Sequence, residues 1–98
     1  MQRGVWLLRI KKGKEGEYRR RHATVWPTLI EVARRAGLKN HSCFLQGKNV
    51  IVYAEAEDLN ITFDEILASD VKKKWDDSMS EILEESNSVH FEEVFHFD

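Results

Sequence analysis

Glu17-Tyr18-Arg19-Arg20-Arg21-His22-Ala23-Thr24-Val25-Trp26-Pro27 is the stretch on which the reading of this chain turns. It lies within Glu15 to Ala36, which reads as one helix: acidic residues open the run, Arg34-Arg35 occupy its last turn and Gly37 stops it. Side chains four apart share a helical face, so Tyr18, His22 and Trp26 are expected on a common stripe. An ordinary amphipathic helix fills that stripe with Leu, Ile or Ala. Here it carries an imidazole that titrates near neutrality, flanked by two amphipathic aromatics, a combination better suited to a small polyol than to a plain core. Pro27 removes one hydrogen bond and its ring meets the carbonyl of Ala23, so a kink just after His22 is expected, opening backbone space beside the imidazole.

Outward from this helix the order of elements is short and regular. Gly4 to Lys11 is rich in Val, Trp, Leu and Ile and reads as a strand, followed by a Lys12-Gly13-Lys14 turn. Leu38 to Gln46 and Asn49 to Glu57 read as two strands joined by a Gly47-Lys48 hairpin turn. Ile61 to Ala68 suggests a short helix, and Ser69 or Asp70 is placed to cap a second one through Trp75 and Met79 to Leu83. Glu84 to Asn87 reads as a polar loop, and the alternation from Ser88 to Phe97 as a last strand. The order β-α-β-β-α-β is the ferredoxin-like split motif, an α+β fold whose four antiparallel strands carry helices on one face only. The other face also has apolar side chains, since strands one, three and four are hydrophobic at both parities. A second copy packed sheet to sheet, a dimeric α/β-barrel, is the simplest cover for it.

Ninety-eight residues make a single domain, 1–98. Charged residues are 33% of the chain and the net charge is only −2, with both signs interspersed, so no field points to nucleic acid or an anionic membrane. Arg19-Arg20-Arg21 fans out over three directions and reads as a solvated face with one arginine turned towards the site; Lys72-Lys73-Lys74 reads similarly. Cys43 is the single cysteine, so no intrachain disulfide can form. With no apolar run of transmembrane length and no signal-peptide pattern at the start, a cytoplasmic location is expected. His90 and His96 share a strand parity but stand too far apart to hold one metal alone, so no metal or other cofactor is assigned.

The pattern E-Y-x-R-R-H-x-x-[IV]-W-P, from Glu17 to Pro27, resembles the opening of the L-rhamnose mutarotase family. The likeness continues in order along nearly the whole chain: Lys39-Asn40 to Leu45, Ser69-Asp70-Val71 leading to Trp75 and Met79, and Glu93-Val94-Phe95. The first motif is long and specific, whereas the others are short and gain weight from their collinearity. The resemblance implies a homodimeric, cofactor-independent isomerase that exchanges the α and β anomers of a 6-deoxy hexose. Such a reaction needs only positioned proton transfer, since the hemiacetal opens when the anomeric hydroxyl loses a proton and the ring oxygen gains one.

On that resemblance the family's proton donor falls on His22 and a substrate-binding tyrosine on Tyr18. An unperturbed imidazole, at a pKa of about 6.5, suits acid-base work at neutral pH. An isolated histidine would more often be structural; its Tyr18 neighbour and the motif argue otherwise. Tyr18 would hold a sugar hydroxyl or orient the imidazole, against the plainer role of a core ring with its tip in water. Trp75 matches the first member of a tryptophan pair that lines the family's sugar site, and an indole packs well on sugar C–H faces. Asp76 replaces the second member; it either reads a sugar hydroxyl or faces solvent. His41 stands where the family has a substrate-contacting tyrosine, and would donate to a sugar oxygen, act as a partner base, or be an exposed strand residue. An acidic residue after a single tryptophan is similar to a branch associated with L-fucose-type sugars, so an L-fucose mutarotase is one alternative. The others are a non-catalytic ligand-binding dimer and a small α/β-barrel oxygenase, which would want a wider and less polar pocket.

Overall fold

The computed structural model describes residues 1–85 and 88–98. Its elements are β1 (Gln2–Arg9), α1 (Glu15–Ala23), α2 (Pro27–Arg35), β2 (Asn40–Gln46), β3 (Asn49–Ala56), α3 (Leu59–Ala68), α4 (Asp70–Met79) and β4 (Val89–Phe91). The strands form one antiparallel sheet in the order β2-β3-β1-β4, the ferredoxin-like arrangement expected from the sequence. Each helical position of the split motif is filled by two helices rather than one. Of the expected polar loop, Ser86 and Asn87 lie outside the described residues.

The single helix expected from Glu15 to Ala36 is instead two. α1 ends at Ala23, Thr24 to Trp26 cross over, and Pro27 opens α2 at its first position. The reason is steric: a proline at the start of a helix needs no amide hydrogen, and the residue before it is pushed into an extended conformation, which Trp26 adopts (φ −54°, ψ 127°). Breaking the helix there relieves the clash more completely than a kink would. Gly37 ends α2 with φ +104°, a left-handed conformation that glycine adopts without strain.

α3 and α4 begin on side-chain caps. Asp58 Oδ1 accepts from the Ile61 amide at 3.1 Å and Ser69 Oγ from the Lys72 amide at 3.0 Å. α4 stops at Met79 rather than at the expected Leu83; Ile82 follows in a turn, fully buried, and Leu83 bridges back to Ile10 beside the end of β1.

The last strand is much shorter than the expected Ser88 to Phe97. It pairs with β1 only from Val5↔Phe91 to Leu7↔Val89. Continuing that register, Phe95 would stand opposite Met1 and the remaining residues would have no partner in the chain. Beyond the ladder the contact passes to side chains, with Arg3 Nε and Nη2 donating to both carboxylate oxygens of Glu93 at 3.0 and 3.1 Å.

Two clusters make the core on the helical face. The larger joins Ile10, Tyr18, Val50, Trp75, Met79 and Ile82; the smaller joins Ala54, Ala56 and Leu59 under Trp6 and Phe63. The opposite face is bare of helices. It carries Phe44, 60% exposed, on the edge strand β2, with Val89 and Phe91 exposed on the other edge strand, β4.

Candidate active site

The functional residues gather where side chains of α1 and α4 meet over β2. The i, i+4 spacing lays the His22 ring on Tyr18, with centroids 3.9 Å apart and 19° between planes. Trp75, on the inner face of α4, meets His22 edge to face at 5.5 Å. Trp26 no longer lies on α1, yet it turns back to meet Trp75 at 5.1 Å and 88°. The aromatic stripe thus survives the helix break because Trp26 packs against α4.

Burial divides these residues into a floor and a rim. Tyr18 is 5% and Trp75 8% exposed, both members of the larger core, whereas His22 is half-buried above them. The plain alternative for Tyr18, a ring with its tip in water, does not describe it. Burial raises the phenol's pKa well above its usual range, helped by the adjacent Cys43 thiol. Burial also raises the thiol's own pKa. Tyr18 is therefore a neutral phenol at physiological pH.

His22 Nδ1 lies 3.0 Å from the Tyr18 carbonyl oxygen. A carbonyl only accepts, so Nδ1 carries the hydrogen and Nε2 is left as the exchangeable nitrogen. Burial lowers the His22 pKa, partly opposed by that backbone bond. The ring is consequently neutral at pH 7, with its Nε2 lone pair available to take a proton.

His41 sits on β2 opposite Ala54, on the helix-facing parity of the sheet. Solvent reaches it, but surrounding protein lowers its pKa, followed by the positive charge of Lys72 and the neighbouring His22. Its Nε2 is 3.8 Å from Cys43 Sγ. Asp76 is exposed on α4 and paired with Lys72 one turn earlier. It is a surface carboxylate next to Trp75 in sequence, with its charge partly matched. The structure thus brings Tyr18, His22, Trp75 and Cys43 together around the core, sets His41 beside them on the sheet, and leaves Asp76 exposed on α4, paired with Lys72.

Sequence reading missed Cys43 and Lys72. Cys43 was legible as a residue two along from His41 and therefore on the same sheet face. Lys72 stands four before Asp76, a spacing that predicts the ion pair. Two shallow troughs lie away from this cluster, one of about 440 Å³ beside Trp6 and His90, the other of about 460 Å³ on the open sheet face. Neither is lined by His22, and neither gathers a buried imidazole against an indole.

Residues 3–97 match the family described as L-rhamnose mutarotase. The chain belongs to the L-rhamnose mutarotase family. An L-rhamnose mutarotase of Burkholderia ambifaria is 33% identical over 84 residues, covering 85% of this chain and 81% of that protein. Among solved structures, the L-rhamnose mutarotase FA22100 of Formosa agariphila superposes over the full length of both chains with a TM-score of 0.85 at 24% identity. A dimeric ferredoxin-like protein from an uncultured marine organism shares the fold at a TM-score of 0.65 and 10% identity, covering 98% and 96% of the two chains. The fold of the Formosa agariphila mutarotase is the one built here.

Proposed function

We propose that the protein exchanges the α and β anomers of L-rhamnose, with His22 as proton carrier and Trp75 as the surface on which the sugar packs. Family membership makes the chain an isomerase of the mutarotase type. The observation that carries the assignment of roles is the half-buried imidazole of His22, its Nδ1 held by the Tyr18 carbonyl and its ring edge to face with Trp75. The two mutarotases named above bear the rhamnose name, which favours L-rhamnose over L-fucose and speaks against the binding-dimer and oxygenase alternatives.

The chemistry follows from the resting state of the imidazole. Neutral His22 accepts the proton of the anomeric hydroxyl at Nε2 while the ring oxygen takes a proton from a second donor, either water or His41. The C1–O5 bond breaks, and its electrons go to the ring oxygen as the carbonyl forms. The aldehyde then turns about C1–C2. In closure His22 returns its proton to the carbonyl oxygen as the C5 hydroxyl attacks and gives up its own. A group that is base in one direction is acid in the other, so one imidazole serves both steps. Tyr18 orients His22 from below; His41 and Asp76 line the rim of the site and contact sugar hydroxyls.

The working unit is a homodimer formed through the open sheet face, whose exposed Phe44, Val89 and Phe91 are too extensive for a lone domain in water. Val94, Phe95 and Phe97 add to the apolar surface that a second copy would cover. Among the described residues no helix is long and apolar enough to cross a membrane. The single cysteine fits a reducing compartment, and the cytoplasm is the proposed location.

Saturation-transfer NMR on reducing sugars tests the activity. Catalysed exchange between the anomeric signals of L-rhamnose is expected, faster than for L-fucose. No acceleration of either sugar would remove the proposal, and faster exchange of L-fucose would reassign the substrate.

A further inference from the structure

Arg21, next to His22 in sequence, is not part of a solvated face. Its side chain is 25% exposed and reaches across to the far end of α4. Nε donates to Glu17 Oε1 at 3.0 Å on its own helix, Nη1 donates to the Ser78 carbonyl, and Nη2 pairs with Glu81. Ser78 in turn donates its hydroxyl to the Trp75 carbonyl at 2.7 Å. α2 and α3 pack directly on α4, whereas the backbones of α1 and α4 do not approach one another closely. Among the described residues, the Arg21–Ser78 bond is the one hydrogen bond that joins the helix of His22 to the helix of Trp75.

We infer that Arg21 is a positioning residue that sets the His22 imidazole against the Trp75 indole, by tying α1 through Ser78 to the turn of α4 that carries Trp75. This rests on the mutarotase reading for its consequence in rate, though not for its geometry. The apolar core holds each helix to the sheet, but apolar contact is non-directional and leaves sliding and rotation soft. A planar guanidinium with three fixed partners supplies direction. Glu17 fills the role of orienter: by occupying Nε it aims the two terminal nitrogens at α4. The proton carrier must stand within hydrogen-bond reach of a sugar that rests on Trp75, and a misplacement of about 1 Å can cost roughly a hundredfold in rate.

The test is Arg21→Gln, read in two ways. In NMR, the cross-relaxation between His22 and Trp75 ring protons should weaken, while that between His22 and Tyr18, fixed within α1, should persist. For L-rhamnose exchange, kcat should fall about ten- to a hundredfold with KM within about threefold, since the packing surface stays in the core. An unchanged His22–Trp75 signal overturns the inference whether or not the wild type exchanges sugar. So does a wild-type kcat in a variant whose parent is active, or an equal loss of both ring contacts, which would mark a general loosening. If wild type itself fails to exchange L-rhamnose, the substrate reading fails and the ring contacts alone decide the clamp. Should Arg21→Gln not fold, Arg21→Lys replaces it: an ammonium keeps the charge but lacks the planar fork, and the same selective loss is expected, with an unchanged signal again overturning the inference.

Discussion

At the scale of the residue, the environment of His22 makes two demands that can be measured. Removing the imidazole should lower catalysed exchange by about 10²–10⁴-fold, the usual range for a positioned acid-base group. His22→Ala should still fold, because His22 is half-buried above a core that Tyr18 and Trp75 close beneath it; its circular dichroism should match wild type, and retained exchange would transfer the role to His41. The second demand concerns pH. Burial lowers the His22 pKa, and burial, Lys72 and His22 lower that of His41, so both rings prefer the neutral form in the folded state. The unfolded chain therefore binds more protons, and stability is full above a pH of about 6.5 and declines as pH falls through the lowered values. The exchange rate should decline over the same acid range as the base is protonated. Thermal melts from pH 7 to 5 should show a shallower loss in His22→Ala than in wild type. Asp76 carries the test of specificity. Asp76→Trp restores packing surface at the cost of a solvent-exposed carboxylate, and a hydrogen bond to such a group is worth about 0.5–1.5 kcal/mol, or roughly two- to tenfold. The ratio of exchange rates should move towards L-rhamnose and away from L-fucose; an unchanged ratio would mean that Asp76, paired with Lys72, faces only water.

At the scale of the element, caps and a glycine hold the helices that carry the site. Ser69 caps α4 by accepting from the Lys72 amide, and α4 delivers Trp75. Ser69→Ala should lower unfolding free energy by about 1 kcal/mol in chemical denaturation. Gly37→Ala should cost about 1–2 kcal/mol, since φ +104° strains any side chain and a Cβ there would come within 3.2 Å of Thr62 Oγ1. Thr62 cannot easily yield, because its hydroxyl donates to the Ala36 carbonyl at 2.9 Å. The break at Pro27 shows where local signals are ambiguous. A proline inside a helical pattern is compatible with a kink or with a new start. The steric preference of the residue before proline favours the new start, and the extended crossover then lets Trp26 pack on Trp75.

At the scale of the whole molecule, the unanswered surface is the open sheet face. Phe44→Asp would place a carboxylate in the proposed sheet-to-sheet contact, where burying it unpaired is costly. Light scattering at micromolar concentration should give twice the chain mass for wild type and a shift to monomer for this variant; a monomeric wild type would remove the dimer. The short β4 belongs to the same scale. Its ladder stops at Val5↔Phe91 although β1 runs on to Gln2, so where pairing ends is set by contact between distant segments that alternation in Ser88 to Phe97 could not express.

What the sequence determined by itself was whatever depends on neighbours in the chain. The order of strands and helices, the turns at Gly13, Gly37 and Gly47, the Ser69 cap and the Tyr18–His22 stack all follow from spacings of four residues or fewer, where backbone geometry fixes who meets whom. The likeness of Glu17 to Pro27 to a family motif supplied the chemistry. Only the tertiary structure decided that Tyr18 is buried beside Cys43, that Trp26 returns across the helix break, and that Arg21 crosses to Ser78 and Glu81, because those contacts join segments about twenty-five to sixty residues apart. Over such separations no periodicity survives; the packing of two helices on one sheet face selects the partner.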